Sequence, residues 1–334
     1  MLDVICLGEA LIDLVSTVPV ASVADAPAFV PAVGGSPANA AVALARLGAR
    51  SGFVGKVGDD PFGRHIARTF EADGVDTSRL LFESSARTAL AFVALDDAAR
   101  PDFMFYRHPS ADMLLRPDEL DPAYIASAPV FHAGSIILTA EPSRSATIEG
   151  LRLARAAGRL VSLDPNIRLN LYGSRSEAKR VLLPLLEMAD IVKLSEEDLA
   201  ALVDGGDFAS GSAELLARGP RLVVVTRGKD GCFCRRASGT LAVPGYRVPV
   251  VDTTGAGDAF VAGLLAGLLA RGAPESDPGA LGDADLEPVL RFANAVGALT
   301  TTVRGAIPGL PTGPALRSFL LERGEVEAAS LLAD

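Results

Sequence analysis

The sequence predicts an α/β fold of three layers, in which a doubly wound, mostly parallel sheet lies between helices. Three observations lead there. First, Val4–Leu7, Ser51–Val57, Pro129–Ala133, Leu160–Leu163, Ile191–Leu194 and Leu222–Thr226 are short apolar runs with the length and β-branched content of buried strands. Second, helical patterns lie between most of them, at Pro37–Leu47, Pro61–Ala72, Pro142–Ala157, Arg175–Met188 and Glu196–Leu202. That alternation builds βαβ units, and strands that are apolar throughout belong to a sheet covered on both faces. Third, the punctuation agrees. Ser36 is placed to cap a helix, with Pro37 at its first position and Gly48 just past its end.

Two stretches break the rhythm. Leu11–Pro19 is extended, and no helix follows it for some twenty residues. Thr88–Leu95 and Asp102–Arg107 are strand-like and joined by Asp96–Pro101. Together they predict a small antiparallel sheet, a lid, with strands drawn from about 11–33 and 86–108. Strand side chains alternate, so Phe103, Phe105 and Arg107 share a face. An arginine on an aromatic face suits a ligand cover. A dimer contact or a solvated edge strand suits the same spacing equally well. The lid strands are apolar on both faces, Ala89, Ala91 and Val93 against Leu90, Phe92 and Ala94, so a homodimer through the lid is expected.

Further on, Gly231–Arg236 and Thr240–Pro244 form a strand pair. Val248–Val251 leads into Asp252-Thr253-Thr254-Gly255-Ala256-Gly257-Asp258 and a long apolar helix ending near Gly272. Pro274–Pro288 reads as a mobile surface loop, followed by a helix through Arg291–Thr302 and a last helix. One domain over 1–323 is expected, with 324–334 as a tail.

Composition sets limits. With 334 residues, 49% apolar and 22% charged, the chain is an ordinary globular protein, long enough for one large α/β domain or two smaller ones. A net charge of −10 argues against a sequence-independent grip on nucleic acid, though not against a small anionic substrate. Cys6, Cys232 and Cys234 are too few for a disulfide framework, and the last two read as same-face strand residues. The chain opens Met1-Leu2-Asp3-Val4 with no basic leader, and its longest small-and-apolar run, Ala259–Ala270, is too short to span a bilayer. A cytoplasmic location is expected.

Two familiar phosphate loops fail on their chemistry. Gly58–His65 has the glycine spacing of a P-loop but lacks its Lys and Ser/Thr, and it places Asp59 and Asp60 where phosphate would lie. Gly255–Phe260 follows a strand and opens a helix, yet Phe260 replaces the last small residue and Asp258 would repel a pyrophosphate. The same turn suits group transfer. Small residues at 255–257 let backbone N–H groups converge near a helix N-terminus, which favours anions, and Asp258 beside them can take a proton from a hydroxyl. Taken alone, the motif fits equally a carboxylate that merely complements the helix dipole.

Two signatures extend this reading. Gly34-Gly35-Ser36-Pro37-Ala38-Asn39 running on to Gly55-Lys56-Val57-Gly58-Asp59-Asp60, and Asp252–Asp258 near the other end, resemble those of the ribokinase-like (PfkB) carbohydrate kinase family in order and separation. The likeness covers about 3–312. Within the family, Phe105-Tyr106-Arg107-His108-Pro109-Ser110-Ala111-Asp112-Met113-Leu114, Asp164-Pro165-Asn166-Ile167-Arg168 and Gly305-Ala306-Ile307-Pro308 resemble the fructokinases.

The resemblance implies a ribokinase-like fold. It implies Asp258 as catalytic base, with Gly255, Ala256 and Gly257 as anion hole. Asp13, Gly34, Gly35 and Asn39 would bind sugar hydroxyls, with Phe105 and Arg107 in the lid over the sugar and Arg168 near the transferred phosphate. Asn166, Lys193, Thr226, Gly228, Gly257 and Asn294 would meet ATP. Asp252 and Thr254 would meet a monovalent cation such as K+. Relatives carry Asn-x-x-Glu where this chain has Ser195-Glu196-Glu197-Asp198, so Asp198, or Glu197 in its place, would organise Mg2+ through water. Several of these have plain structural readings too. Asp13 could cap a strand end, Asn39 could be a satisfied first-turn amide, Arg168 a surface ion-pair partner and Asn294 a packed residue.

The implied activity is ATP- and Mg-dependent phosphorylation of a small ketose, fructose at O6, with a sugar and ATP as partners and neither nucleic acid nor membrane. Alternatives within the family are kinases for 2-keto-3-deoxygluconate, ribose or a nucleoside. The alternative of another class is a non-catalytic sugar-sensing or partner-binding protein.

Overall fold

The computed structural model describes residues 1–96, 101–272 and 277–332. Strands β1 (Val4–Leu7), β4 (Ser51–Gly58), β5 (Asp76–Glu83), β8 (Val130–Ala133), β9 (Leu160–Leu163), β10 (Ile191–Ser195) and β11 (Leu222–Thr226) lie parallel in one nine-stranded sheet. Two antiparallel strands, β12 (Cys232–Arg236) and β13 (Gly239–Val243), extend its far edge, giving the order β13-β12-β11-β10-β9-β8-β1-β4-β5. β1, β8 and β9 are fully buried, as a sheet covered on both faces requires.

Strand β1 sits between β4 and β8, so the chain winds outward from it in both directions. In such a sheet ligands collect at the carboxyl ends of the strands near the point of reversal. One face of the sheet packs against the helices Ser36–Arg46, Ala256–Ala270 and Asp283–Thr300, the other against Ser143–Ala156, Arg175–Leu186 and Glu196–Leu202. The Ala256 and Asp283 helices approach closely. A Cβ on Gly263 would come within 2.8 Å of the Ala293 Cα, so glycine is needed there.

The lid is a separate four-stranded sheet, β3 (Phe29–Gly34), β2 (Leu11–Ser16), β6 (Leu90–Leu95) and β7 (Pro101–Tyr106), in the order β3-β2-β6-β7. It is mixed instead of antiparallel, because β2 and β6 run parallel with Leu14 opposite Phe92. Buried hydrogen bonds fix its base. Asp60 caps the Pro61–Ala72 helix with one oxygen and accepts the Thr88 backbone N–H, at 2.8 Å, with the other.

Two local expectations are corrected, and strand β5 leaves little imprint in the sequence, because it is a half-exposed edge strand with a polar start. The expected loop Pro274–Pro288 is helical from Asp283, with Pro288 inside the helix, since Leu286, Val289 and Leu290 anchor that turn in the core. Residues beyond 323 include a short helix, Val326–Ala329, whose Ala328 and Ala329 join the main core. The lid turn at 97–100 and positions 274–276 of the expected loop lie outside the described residues. No helix among the described residues is long and apolar enough to cross a membrane.

Candidate functional site

Asp258 stands in the first turn of the Ala256 helix, which opens at Gly255 in the left-handed conformation (φ 79°). A side chain at Gly255 would come within 2.7 Å of the Ala306 Cβ, so both conformation and space demand glycine. The early N–H groups of a helix have no partner within it, and they leave a positive end. The Ala256 N–H turns back to the Thr253 carbonyl (3.3 Å), whereas the turn at 255–257 otherwise borders the cleft through Gly255 and Gly257.

The Asp258 carboxylate is held by two neutral donors. Ser36 Oγ donates to Oδ1 at 2.7 Å and Asn39 Nδ2 to Oδ2 at 2.7 Å. Neither donor is a cation, and Asp258 lines the cleft. Asn39, expected on the sugar, lines the cleft and also orients the carboxylate, and its own Oδ1 is buried without a partner. Ser36 was read only as a helix cap. Its hydroxyl instead crosses to a residue 222 positions away, a contact no local pattern reveals.

The cleft encloses about 160 Å³ between the strand ends and the lid. Asp13, Gly35, Phe103, Phe105, Asn166, Arg168, Lys193, Thr254, Gly255 and Gly257 line it with Asp258. Asp13 reaches in from β2. Burial, then the nearby Asp258 and Asp252 charges, push its carboxyl up to about 7. Gly34 lies against it, and any Cβ there would overlap Asp13 Oδ2.

Lys193 comes up from β10 and pairs with Asp164 at 2.9 Å, both buried. Burial pushes Asp164 up to about 6 in spite of its partner. Burial alone would lower Lys193, but the Asp164, Asp198 and Asp258 carboxylates outweigh it and raise the ammonium above its usual range. The ammonium would lie only 2.8 Å from a Cβ on Gly257, so it borders the helix-end turn. Asp164 Oδ1 also accepts the Asn166 N–H (3.2 Å), which steadies Asn166 at φ 36°.

One of the two arginines departs from expectation. Arg107 is only 2% exposed and lies at the lid base, bound to Asp112 through Nε (3.0 Å) and Nη2 and directed at the Ile136 carbonyl. It does not line the cleft. β7 ends at Tyr106, so the alternation that aligns Phe103 with Phe105 stops before Arg107. Arg168 lines the cleft, as Lys193 does, its guanidinium 5.3 Å from the Phe103 ring centre, and Phe103 stacks on Phe105 at 5.8 Å.

Asp198 is committed. Its Oδ1 accepts the Ile167 N–H and its Oδ2 the Ser195 N–H and hydroxyl, so it closes a capping box. Glu197 is exposed. Among the described residues no three His, Cys, Asp or Glu side chains cluster as a metal cage. Asp252 is fully buried, with Oδ1 accepting the Thr254 N–H and Oδ2 the Gly305 N–H, each at 2.8 Å. Thr254 Oγ1 beside it is buried and unpartnered. That orphan oxygen and adjacent carboxylate fit a weakly hydrated monovalent cation.

Thr226, Gly228 and Asn294 lie apart from this cavity, around the end of β11. Asn294 Nδ2 donates to the Val243 and Pro244 carbonyls (3.3 and 3.2 Å), and Gly228 opens to empty space.

The model of the pfkB family of carbohydrate kinases matches residues 1–313. Fructokinase-1 from Oryza sativa subsp. japonica is 49% identical over 314 residues, covering 92% of this chain and 94% of that protein. Fructokinase with bound ATP from Xylella fastidiosa superposes with a TM-score of 0.84 at 38% identity, covering 96% of this chain and 99% of that one. Fructokinase from Vibrio cholerae O395, in its form with fructose, ADP and calcium ion, gives 0.85 at 36% identity over 96% of this chain and 99% of that one. With an oriented carboxylate at a helix end, a lysine facing it and a lid above, this chain belongs to the pfkB family of carbohydrate kinases.

Proposed function

We propose that the chain transfers the γ-phosphoryl group of ATP to O6 of fructose. The observation that carries this reading is Asp258, oriented by Ser36 and Asn39 without being neutralised, at the positive end of a helix. A proton passes from the sugar hydroxyl to an Asp258 oxygen as the hydroxyl oxygen bonds to phosphorus and the bond to ADP breaks. The first-turn N–H groups of Gly257 and Asp258, together with Lys193, stabilise the charge on the moving phosphoryl group. Mg2+, carried by the nucleotide, neutralises phosphate charge. Asp13 and the Gly35 backbone fix the sugar, and the Phe103–Phe105 face covers it and excludes water. The small volume of the cleft favours a monosaccharide, since sites for drug-sized ligands run to roughly 300–1,000 Å³. Potassium is the ion we assign to the Asp252–Thr254 turn.

The test is ADP release across a panel of sugars. Fructose should give the highest kcat/KM, and Asp258→Ala should lower its kcat by about 10²–10⁴ with the melting temperature retained. Parental turnover in that variant sinks the mechanism. Arg168 in the cleft supports a second reading, an acidic ketose such as 2-keto-3-deoxygluconate, and a higher kcat/KM for that acid than for fructose would establish it.

The lid's outer face supports a homodimer. Phe29, Phe92 and Tyr106 form a chain of ring contacts at 5.0 and 5.3 Å, and Tyr106 and Met104 are exposed. Light scattering should give the mass of two chains, reduced to one by Tyr106→Glu; a single-chain mass for the parent rejects the dimer. Three free, buried cysteines favour a reducing compartment, and we place the protein in the cytoplasm.

A further inference from the structure

We infer that Glu9 is a positioning residue for Asp258, acting through Ser36. The inference rests on Asp258 being the base. The Ser36–Arg46 helix begins after Gly35, which has no side chain to cap the first turn. Glu9, from the loop after β1, fills that place: its Oε1 accepts the Ser36 N–H at 2.8 Å. Ser36 Oγ points the other way and holds Asp258 Oδ1, and Asn39, three residues on, holds Oδ2. The acceptor on the Ser36 N–H therefore sets where the Ser36 hydroxyl meets the base.

Glu9 is one part of a clasp around the turn. A Cβ on Gly35 would overlap the Glu9 carbonyl, and one on Gly134 would stand 2.7 Å from the Pro37 ring. Packing alone does not explain a carboxylate here. Glu9 is fully buried and its Oε2 has no partner, a costly arrangement where an apolar side chain would fill the space. Burial pushes the group up to about 7 even though it accepts backbone N–H bonds and faces Arg107. What the carboxylate supplies that an apolar side chain lacks is the acceptor for Ser36.

Two variants separate these roles. Glu9→Met keeps the volume and removes the acceptor. Its kcat should fall by about 10–100-fold with KM for ATP within about twofold, because a small misplacement of a reacting group acts on the chemical step. Glu9→Gln keeps an acceptor oxygen and should restore kcat to within about fivefold of the parent. In Glu9→Met/Ser36→Ala the two losses should not multiply, since both act through one hydroxyl. A parental kcat in Glu9→Met, or losses that multiply, overturns the inference. Should Glu9→Met not fold, the small loss from Glu9→Gln should vanish in a Ser36→Ala background, and its persistence is equally decisive against it. Asp258→Ala, assayed alongside, separates the two claims: full activity there removes the base itself, whereas an inactive Asp258→Ala with a parental Glu9→Met removes only the role of Glu9.

Discussion

The cleft, which we assign to the sugar acceptor, and the surface around the end of β11, which we assign to the nucleotide, are built differently. At the acceptor end, Asp13 and Asp258 are buried, glycines leave no spare room, and two donors from one helix, Ser36 and Asn39, hold the Asp258 carboxylate. At the other end, Thr226 is half-buried, Gly228 opens to empty space, and Asn294 braces the end of β13. A base must be placed to within a fraction of an ångström before the reaction begins, and only dense packing and paired hydrogen bonds provide that. A nucleotide brings its own charge and its own large surface, and an open shelf beside a fixed lysine is enough to receive it.

Lys193 stands between the two regions, so replacing it should affect both activity and stability. Lys193→Met removes the ammonium facing the helix-end turn and leaves Asp164 buried and unpaired. We expect kcat to fall by about 10²–10³, as when one donor to a developing charge is lost, and stability to fall by about 3–5 kcal/mol. Lys193→Met/Asp164→Asn restores the charge balance and should recover the melting temperature without recovering kcat. If the double variant regains activity, Lys193 is only half of a structural pair.

The two glycines 34 and 228 sharpen the contrast. Gly34→Ala forces Asp13 to move, and we expect KM for fructose to rise roughly 10–100-fold, the loss of one or two hydrogen bonds to a charged group. Gly228→Ala meets nothing within 4 Å and is strained only by φ 52°. It should cost about 1–2 kcal/mol of stability and leave KM for fructose unchanged. Equal effects on KM in the two variants would mean that the acceptor end is no more tightly built than the nucleotide end.

What the sequence shows of this site follows the same division. Asp258, Gly255 and Gly35 are legible because a sharp turn at a helix start leaves a local imprint: small residues where the backbone must approach, then the carboxylate. Phe103 and Phe105 are legible through strand alternation. Ser36 as the partner of Asp258, and Asp164 as the partner of Lys193, are not, because these are pairings between elements far apart in the chain. Arg107 misses its expected place over the cleft for a related reason. Alternation orients a side chain only while the strand continues, and β7 stops one residue short. β5 was hidden because a half-exposed edge strand carries too few apolar residues to stand out.

The smallest expected effect concerns the cost of keeping Asp13 in the cleft. Its carboxyl titrates near 7 when folded, because burial and then the Asp258 and Asp252 charges oppose ionisation, and near its ordinary 3.8 when unfolded. Between those values the folded chain binds the extra proton, so stability falls as pH rises from about 4 to about 7 and changes no further above that. The whole displacement amounts to roughly 4 kcal/mol. Asp13→Asn cannot ionise and loses this slope. Its melting temperature should match the parent's near pH 4 and exceed it by several degrees at pH 8, while its activity on fructose drops. A difference between the two proteins that stays constant from pH 4 to 8 would show that Asp13 is ionised throughout, and that the acceptor end does not hold its carboxylates against their tendency to repel.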